Sequence, residues 1–205
     1  MTQLSLWWGL VGPWLLLVWL VQRVPWLHGL RSAVVSAIVA SVAVSVPWFG
    51  HALPWWSMSL SANFSVTMAV LLVVAIIDRA FGTRILRKRD WNAAWTFGAA
   101  AGLLLYPSAL GLGPRNFDSY SLGWPWLFWK ESFVLYGAAS ITAAVLLWRG
   151  NRFGYVLLAV FCGYALRFQE SQNFWDYLID PVFAAVSLLA VLWKGVALAC
   201  SKHKE

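Results

Sequence analysis

The sequence predicts an all-α fold, a polytopic bundle of transmembrane helices that forms a single integral membrane domain over residues 1–205. Composition is the first observation: 61% of the chain is hydrophobic and 11% is charged, whereas a soluble domain carries about 25% charged residues. The mean hydropathy of +0.68 is the second. The third is that apolar stretches of about 20 residues, the length that crosses a bilayer as a helix, recur along the whole chain.

Seven spans joined by short loops account for these stretches. In chain order they cover residues 4–21, 32–49, 62–81, 91–110, 127–148, 153–168 and 181–199. The sixth has 16 residues and rises only about 24 Å as a helix, so it needs its flanks or a locally thinner bilayer to cross. A six-span arrangement, with the first or the sixth span lying in the interface, is the alternative.

The first two spans have features of their own. The first precedes Arg23, the first basic residue, whereas a secretory signal places basic residues before its apolar run, so we expect a retained helix. The second, SAVVSAIVASVAVSV, brings Ser32, Ser36 and Ala40 near one face. Small residues let helices approach closely in lipid, which predicts a position in the middle of the bundle.

The distribution of charge predicts the orientation. The loop after the third span, RAFGTRILRKRD, holds five basic residues, and basic loops remain in the cytoplasm. Alternation of the spans then places 12 basic residues inside and only Arg115, Lys130 and Arg167 outside. The chain is therefore predicted to run N-out and C-in, and its compactness suggests a bacterial inner (cytoplasmic) membrane.

Sixteen tryptophans mostly flank the predicted spans. Amphipathic indole rings favour the level of the lipid headgroups, so these residues predict an aromatic belt at each interface. The outer belt would comprise Trp7, Trp8, Trp48, Trp55, Trp56, Trp124, Trp126, Trp129 and Trp175. A surface on which carbohydrate stacks is the alternative for this outer group.

One short stretch, RFQESQNFWDYLIDP at residues 167–181, concentrates ionisable side chains between the last two spans. Asp180 precedes a proline and an apolar run, which predicts the N-cap of the seventh span. Arg167 and Glu170 are three apart and could pair on a continuing helix. In a functional interpretation, Arg167 holds a lipid phosphate and Glu170 acts as a base or an orienting group.

Asp176 has no evident structural role in the sequence. It lies four residues before Asp180, where like charges on a helix repel unless a partner intervenes. The candidate catalytic residues are therefore Glu170, Asp176 and His51, with roles in proton transfer. The candidate substrate-binding residues in the outer loops are Arg167, Arg115, Asp118 and Glu131.

Missing motifs argue against several classes of enzyme and of metal-binding protein. The chain has no GxSxG, Walker A or HExxH sequence and no CxxC or His/Cys cluster, so neither a cofactor nor a metal is expected. Cys162 and Cys200 are interpreted as free thiols. The net charge of +7 is explained by cytoplasmic loops, so no nucleic acid partner is expected.

The favoured function is a non-enzymatic subunit or accessory factor in bacterial envelope lipid or glycan handling. Membrane lipids would be its partners, together with another membrane protein or a second copy of the chain. The alternative is an outward-facing enzyme that acts on a lipid-linked substrate, so the sequence leaves enzymatic activity open. A small-solute transporter is a weaker alternative, because the spans lack acidic residues near the midplane.

Overall fold

Helices form most of the chain that the structure, a computed structural model, describes: residues 3–26, 29–52, 55–56, 64–112, 117–124 and 133–202. In chain order the elements are α1 (Gln3–Val21), α2 (Gly29–Ser45), the two-residue strands β1 (Pro47–Trp48) and β2 (His51–Ala52), α3 (Val66–Phe81), α4 (Lys88–Ala109), a 3₁₀ turn (Ser119–Gly123), α5 (Phe133–Trp148), α6 (Phe153–Ala165), α7 (Phe174–Leu178) and α8 (Pro181–Lys202). The predicted all-α class is confirmed. A helix lies in each of the seven predicted spans.

One helix in the described part of the chain is both long and apolar enough to cross a membrane. It is Pro181–Ser201, with a mean hydropathy of 2.1. The apolar parts of α1, α2, α5 and α6 are shorter than the 18 residues that such a span requires. Helix α3 carries Asp78 and Arg79 near its end, and α4 begins with three charged residues. By length and composition alone, one helix of the described chain therefore qualifies as a membrane span.

Local chemistry sets the helix boundaries. Ser65 precedes α3 and its hydroxyl accepts a hydrogen bond from the Met68 N–H at 3.1 Å, as an N-cap does. Gly82 ends the same helix with φ +66°, a left-handed conformation that glycine adopts without strain. Helix α6 ends at Ala165, short of the predicted boundary at residue 168, and the chain turns away through Arg167 at φ +52°.

Helix α3 occupies the middle of the bundle. It packs against α1, α2, α6 and α7, and Val66, Leu71 and Leu72 on it are buried. Helix α2 lies at the periphery instead. Its small face is buried as predicted, with Ser32 and Ser36 inaccessible, but residues on its other side are exposed. The predicted central position of α2 is therefore wrong, because, within the described ranges of the chain, helices pack against only one of its faces.

The most extensive helix contact joins α4 and α8. Gly98 and Gly102 lie on the contacting face of α4, where a Cβ atom on Gly98 would lie 2.8 Å from the Ser187 Cβ. A Cβ atom on Gly102 would lie 2.9 Å from the Ala184 Cβ. The two glycines form a GxxxG spacing, which lets two helix backbones approach closely.

The bundle has two chemically different ends. We call them the cap end, where α3 and α8 begin, and the basic end, where α4 and α6 begin. At the cap end, Trp8 near the start of α1 donates its indole N–H to the Phe64 carbonyl at 3.0 Å and packs its ring against Phe168. At the basic end, Arg152 before α6 donates to the Ile85 carbonyl before α4 at 2.7 Å. The starts of α1, α3 and α8 and the ends of α4 and α6 lie at the cap end, so consecutive helices alternate in direction.

A buried carboxylate organises the basic end. Asp90 is inaccessible to solvent, and its Oδ2 accepts a hydrogen bond from the Arg87 N–H at 2.8 Å. Its Oδ1 accepts from the Arg152 N–H at 3.2 Å and lies 3.6 Å from the Arg89 Nε. Asp90 thus binds the backbone at the starts of both α4 and α6.

Candidate functional site

The cap end contains most of the polar side chains that the sequence marked as candidates. Asp180, 2% exposed, precedes α8, and its Oδ1 accepts a hydrogen bond from the Phe183 N–H at 2.8 Å. Its Oδ2 accepts one from the Ser65 N–H at 2.9 Å and one from the Ser65 hydroxyl at 2.6 Å. Because Ser65 caps α3, this one carboxylate connects the N-termini of α3 and α8.

The surroundings of Asp180 act on its pKa in opposite directions. Burial raises the pKa of this carboxyl, because the charged form loses its solvation. Hydrogen bonds from Ser65, Phe183 and Val182 lower the pKa, and burial is the larger effect. The carboxyl therefore takes up a proton at a higher pH than an exposed aspartate does.

Asp176 lies on α7 and is half-buried. Its Oδ2 accepts a hydrogen bond from the Tyr120 hydroxyl at 2.9 Å and another from the Ser171 hydroxyl. Burial raises the pKa of Tyr120, and the nearby charge of Asp176 raises it further. The phenol therefore stays protonated and available as a donor, and Asp176 attaches α7 to the 3₁₀ turn.

A second set of hydrogen bonds fixes the chain between α6 and α7. The side-chain amide of Gln169, 3% exposed, donates to the Phe64 carbonyl at 3.0 Å and to the Asp176 carbonyl at 3.2 Å. The Tyr177 hydroxyl accepts from the Gln169 N–H at 3.1 Å and donates to the Gln169 carbonyl at 3.0 Å. Residues 167–180, which we call the cap segment, are thereby folded back into the bundle.

The aromatic residues of the cap segment belong to the core. Phe174 is inaccessible, and Trp175 and Tyr177 are each 1% exposed. The indole N–H of Trp175 donates to the Ser119 carbonyl at 2.8 Å. Placing Trp175 in an interfacial belt is therefore wrong: its polar atom finds a partner inside the protein, so the ring does not need the headgroup region.

Close packing around Trp175 depends on a glycine in the 3₁₀ turn. A Cβ atom on Gly123 would lie 2.6 Å from the Trp175 Cδ1 and 2.9 Å from the Asn173 Cγ. Asn173 in turn donates its amide to the Tyr120 carbonyl at 2.9 Å and accepts from the Trp175 N–H at 3.0 Å. The 3₁₀ turn and α7 form one interlocked unit.

The other candidate residues are placed apart from this unit or at its surface. His51 is exposed on β2 and stacks on the Trp55 ring with centroids 4.0 Å apart. Asp118 is exposed, and its Oδ1 accepts from the Tyr120 N–H at 2.9 Å. Arg167 and Glu170 are also exposed. Arg115 and Glu131 lie outside the described residues.

The continuing helix on which Arg167 and Glu170 were predicted to pair does not form. Helix α6 ends at Ala165, and Arg167 has a left-handed backbone conformation. The chain after it is irregular until Phe174, so the helical geometry from which the pairing was predicted does not apply here.

The structure connects Asp176 and Asp118 through Tyr120, whereas Asp180 binds Ser65 and Phe183. It does not join His51 to Asp176, because the imidazole lies against tryptophan rings on the hairpin. Among the described residues, no group of three His, Cys, Asp or Glu side chains is placed to hold a metal ion. Chemically, the two cap-segment carboxylates act as acceptors for donors of the same chain.

Sequence reasoning missed three parts of this architecture. The GxxxG spacing of Gly98 and Gly102 is visible in the sequence and signals a close helix contact. The role of Asp90 had a weaker signal, an acidic residue in the first turn of a helix. The sequence carries no signal for the partners of Gln169, since its bond to the Phe64 carbonyl spans 105 positions.

Comparisons with protein-family models, with curated proteins and with solved structures give no match for this chain. The function of the chain is therefore inferred from the chemistry of its own residues.

Proposed function

We propose that the chain is a multi-pass protein of a bacterial inner membrane with seven spans, N-out and C-in. We further propose that it is a non-enzymatic subunit or accessory factor in envelope lipid or glycan handling. Its partners would be membrane lipids and a further membrane protein or a second copy of the chain. The cap segment would close the outer end of the bundle.

The apolar outer surface supports the membrane location. Leu189 and Trp193 on α8 are 66% and 77% exposed, and Ile141 on α5 and Ile38 on α2 are 66% and 60% exposed. Soluble proteins seldom expose contiguous apolar patches larger than a few hundred Å². Hydrocarbon around the bundle would cover these faces at no cost, because lipid tails are as apolar as the side chains themselves.

The two ends support the orientation. Arg167 lies at the cap end, but most basic residues of the described chain lie at the basic end or on the elements that lead to it: Arg23, Arg31, Arg79, Arg84, Arg87, Lys88, Arg89, Arg149, Arg152 and Lys194. The cap end carries the acidic side chains of Asp118, Glu170, Asp176 and Asp180. This asymmetry is what the positive-inside rule expects of a protein with its basic end in the cytoplasm.

The non-enzymatic part of the proposal depends on one observation. The carboxylates of Asp176 and Asp180 are occupied by hydroxyl and N–H donors of the bundle itself. A proton-transfer enzyme would need His51, Glu170 and Asp176 around one space within hydrogen-bond reach. His51 stacks on Trp55 instead.

Thiol labelling tests the membrane arrangement. Cys200 is exposed near the end of α8 and is the single thiol of a Cys162→Ser variant, whereas Asp118→Cys in a Cys162→Ser, Cys200→Ser background places a single thiol at the exposed cap end. With an impermeant maleimide, Asp118→Cys should react in intact spheroplasts, and Cys200 only in inverted vesicles. Reaction of both from the same side would overturn the topology, and release of the chain by alkaline carbonate would overturn the membrane location.

The role is tested by mass spectrometry of lipids and proteins that copurify in a mild detergent. We expect Asp176→Asn, which keeps the shape of the side chain, to retain the same bound molecules as the wild type once its folding is confirmed by circular dichroism. Loss of one lipid-linked molecule in both Asp176→Asn and His51→Ala, with their folds intact, would instead favour the outward-facing enzyme.

A further inference from the structure

A lateral groove runs between α1 and the α4–α8 pair, with α3 as its floor. Its volume is about 270 Å³. The groove is partly open to the side of the bundle, and its walls are apolar. Residues that line it include Leu16, Trp19, Met68, Leu72, Trp95 and Val186. Such walls exclude a polar solute, because they offer few hydrogen-bond partners to replace water.

A positively charged side chain lies at one end of this groove. Arg23, which also lines it, follows α1 and holds its guanidinium carbon 4.5 Å from the centre of the Trp19 ring. The indole face attracts the cation and fixes its position. Trp91, at the start of α4, lines the same region, so the cationic mouth of the groove lies toward the basic end of the bundle.

We propose that this groove binds one acyl chain of an anionic phospholipid, with the lipid phosphate on Arg23. The proposal rests on the proposed membrane location and names a lipid ligand for it. This apolar groove opens sideways and ends at an arginine, so it matches both parts of a phospholipid. The hydrocarbon chain would lie along the walls, and the phosphate would bind at the mouth. Arginine suits phosphate because its planar fork of donors can bind two oxygens.

The surrounding charge favours an anionic over a zwitterionic headgroup. Basic residues on α3, α4 and the turn before α6 gather at the same end of the bundle, and each basic residue near a membrane surface attracts anionic lipid. The size of the groove favours a chain over a protein segment. A partner helix measures about 10–12 Å across with its side chains, whereas the groove is at the lower limit of small-molecule sites.

The test is native mass spectrometry of the full chain released from nanodiscs that contain equal amounts of phosphatidylglycerol and phosphatidylcholine. We expect the wild type to retain phosphatidylglycerol preferentially. Arg23→Ala should lower that preference about tenfold, since it removes a charge-assisted contact to phosphate. Ala75→Leu, which fills the groove, should lower retention of both lipids.

Arg31→Ala is the matched control, because Arg31 is an exposed basic residue at the start of α2 that does not line the groove. An equal loss of preference in Arg31→Ala would overturn the site in favour of general electrostatic attraction. Undiminished retention in Ala75→Leu would overturn the groove as the location. The wild-type competition needs no variant, so equal retention of the two lipids by the folded wild type also refutes the proposal. Alkaline carbonate extraction of the cell membranes that contain the chain distinguishes these failures from a failure of the membrane location.

Discussion

Removing the carboxylate of Asp180 should destabilise the bundle at two helix starts at once. Asp180→Ala leaves the backbone N–H groups of Ser65 and Phe183 without their acceptor in a site that is 2% exposed. A buried donor without a partner costs about 1–3 kcal/mol. The Ser65 hydroxyl can rotate toward another acceptor, so only the two N–H groups are counted. We expect the free energy of unfolding to fall by about 3 kcal/mol.

Equilibrium unfolding in detergent, followed by helical circular dichroism, measures this loss. Asp180→Asn should lose less than Asp180→Ala, because asparagine caps a helix about as well as aspartate. It should still lose stability, because an amide has one oxygen and cannot accept from both Phe183 and Ser65 as the two carboxylate oxygens do. Asp118→Ala is the matched control: this aspartate also accepts a backbone N–H, but it is exposed, so water replaces the lost acceptor.

A double-mutant cycle identifies the Ser65 contact specifically. Ser65→Ala and Asp180→Ala should couple by about 1 kcal/mol, because the hydroxyl bond at 2.6 Å exists only when both residues are present. Wild-type stability in Asp180→Ala would refute this account of the cap end. Strict additivity of the two substitutions would show that the Ser65 hydroxyl bond does not contribute to stability, although the bond from the Ser65 N–H would still link the two helix starts.

Three further predictions concern titration, helix packing and the buried indole. Because the pKa of Asp180 is raised in the folded state, stability should be greatest below the ordinary aspartate pKa and should fall as the pH rises through the raised value; Asp180→Asn should remove this dependence in pH-dependent unfolding curves. Gly98→Ala should destabilise by about 1–3 kcal/mol because its Cβ meets Ser187, whereas Gly137→Ala, with open space around it, should be neutral or stabilising in thermal melts. Trp175→Phe, which keeps an aromatic ring and removes the indole donor, should lower the unfolding free energy by about 1–3 kcal/mol, and an unchanged unfolding midpoint would contradict the role given to that bond.

The helices could be predicted from the sequence because apolar composition is a local signal. Each predicted span contains one helix, and the boundaries differ by a few residues: α2 ends at Ser45, before the predicted boundary at residue 49, and α6 ends at Ala165, before the predicted boundary at residue 168. The environment of α2 was harder to predict. Its small face was correctly identified, but nothing local to the segment reveals whether a second helix covers the other face.

Apart from the N-cap role of Asp180, the cap segment could not be predicted, because its polar residues find their partners far away in sequence. Asp180 binds Ser65 across 115 positions, and Asp176 binds Tyr120 across 56. In the sequence alone, closely spaced acidic and amide side chains look like a solvated loop that could carry catalysis. The same residue types appear in the structure as acceptors and donors that satisfy a buried backbone, which periodicity and spacing do not report.

A common principle explains why so apolar a chain keeps buried carboxylates at both ends. A helix start leaves N–H groups without partners inside the helix, and in apolar surroundings water does not reach them. Asp180 supplies acceptors to α3 and α8 at the cap end, and Asp90 supplies them to α4 and α6 at the basic end. Each carboxylate has two oxygens and serves two helix starts, so neighbouring helices are tied together where their unpaired donors meet. Asp180, in the acidic stretch that first suggested a functional site, is therefore placed where the architecture of the bundle requires an acceptor.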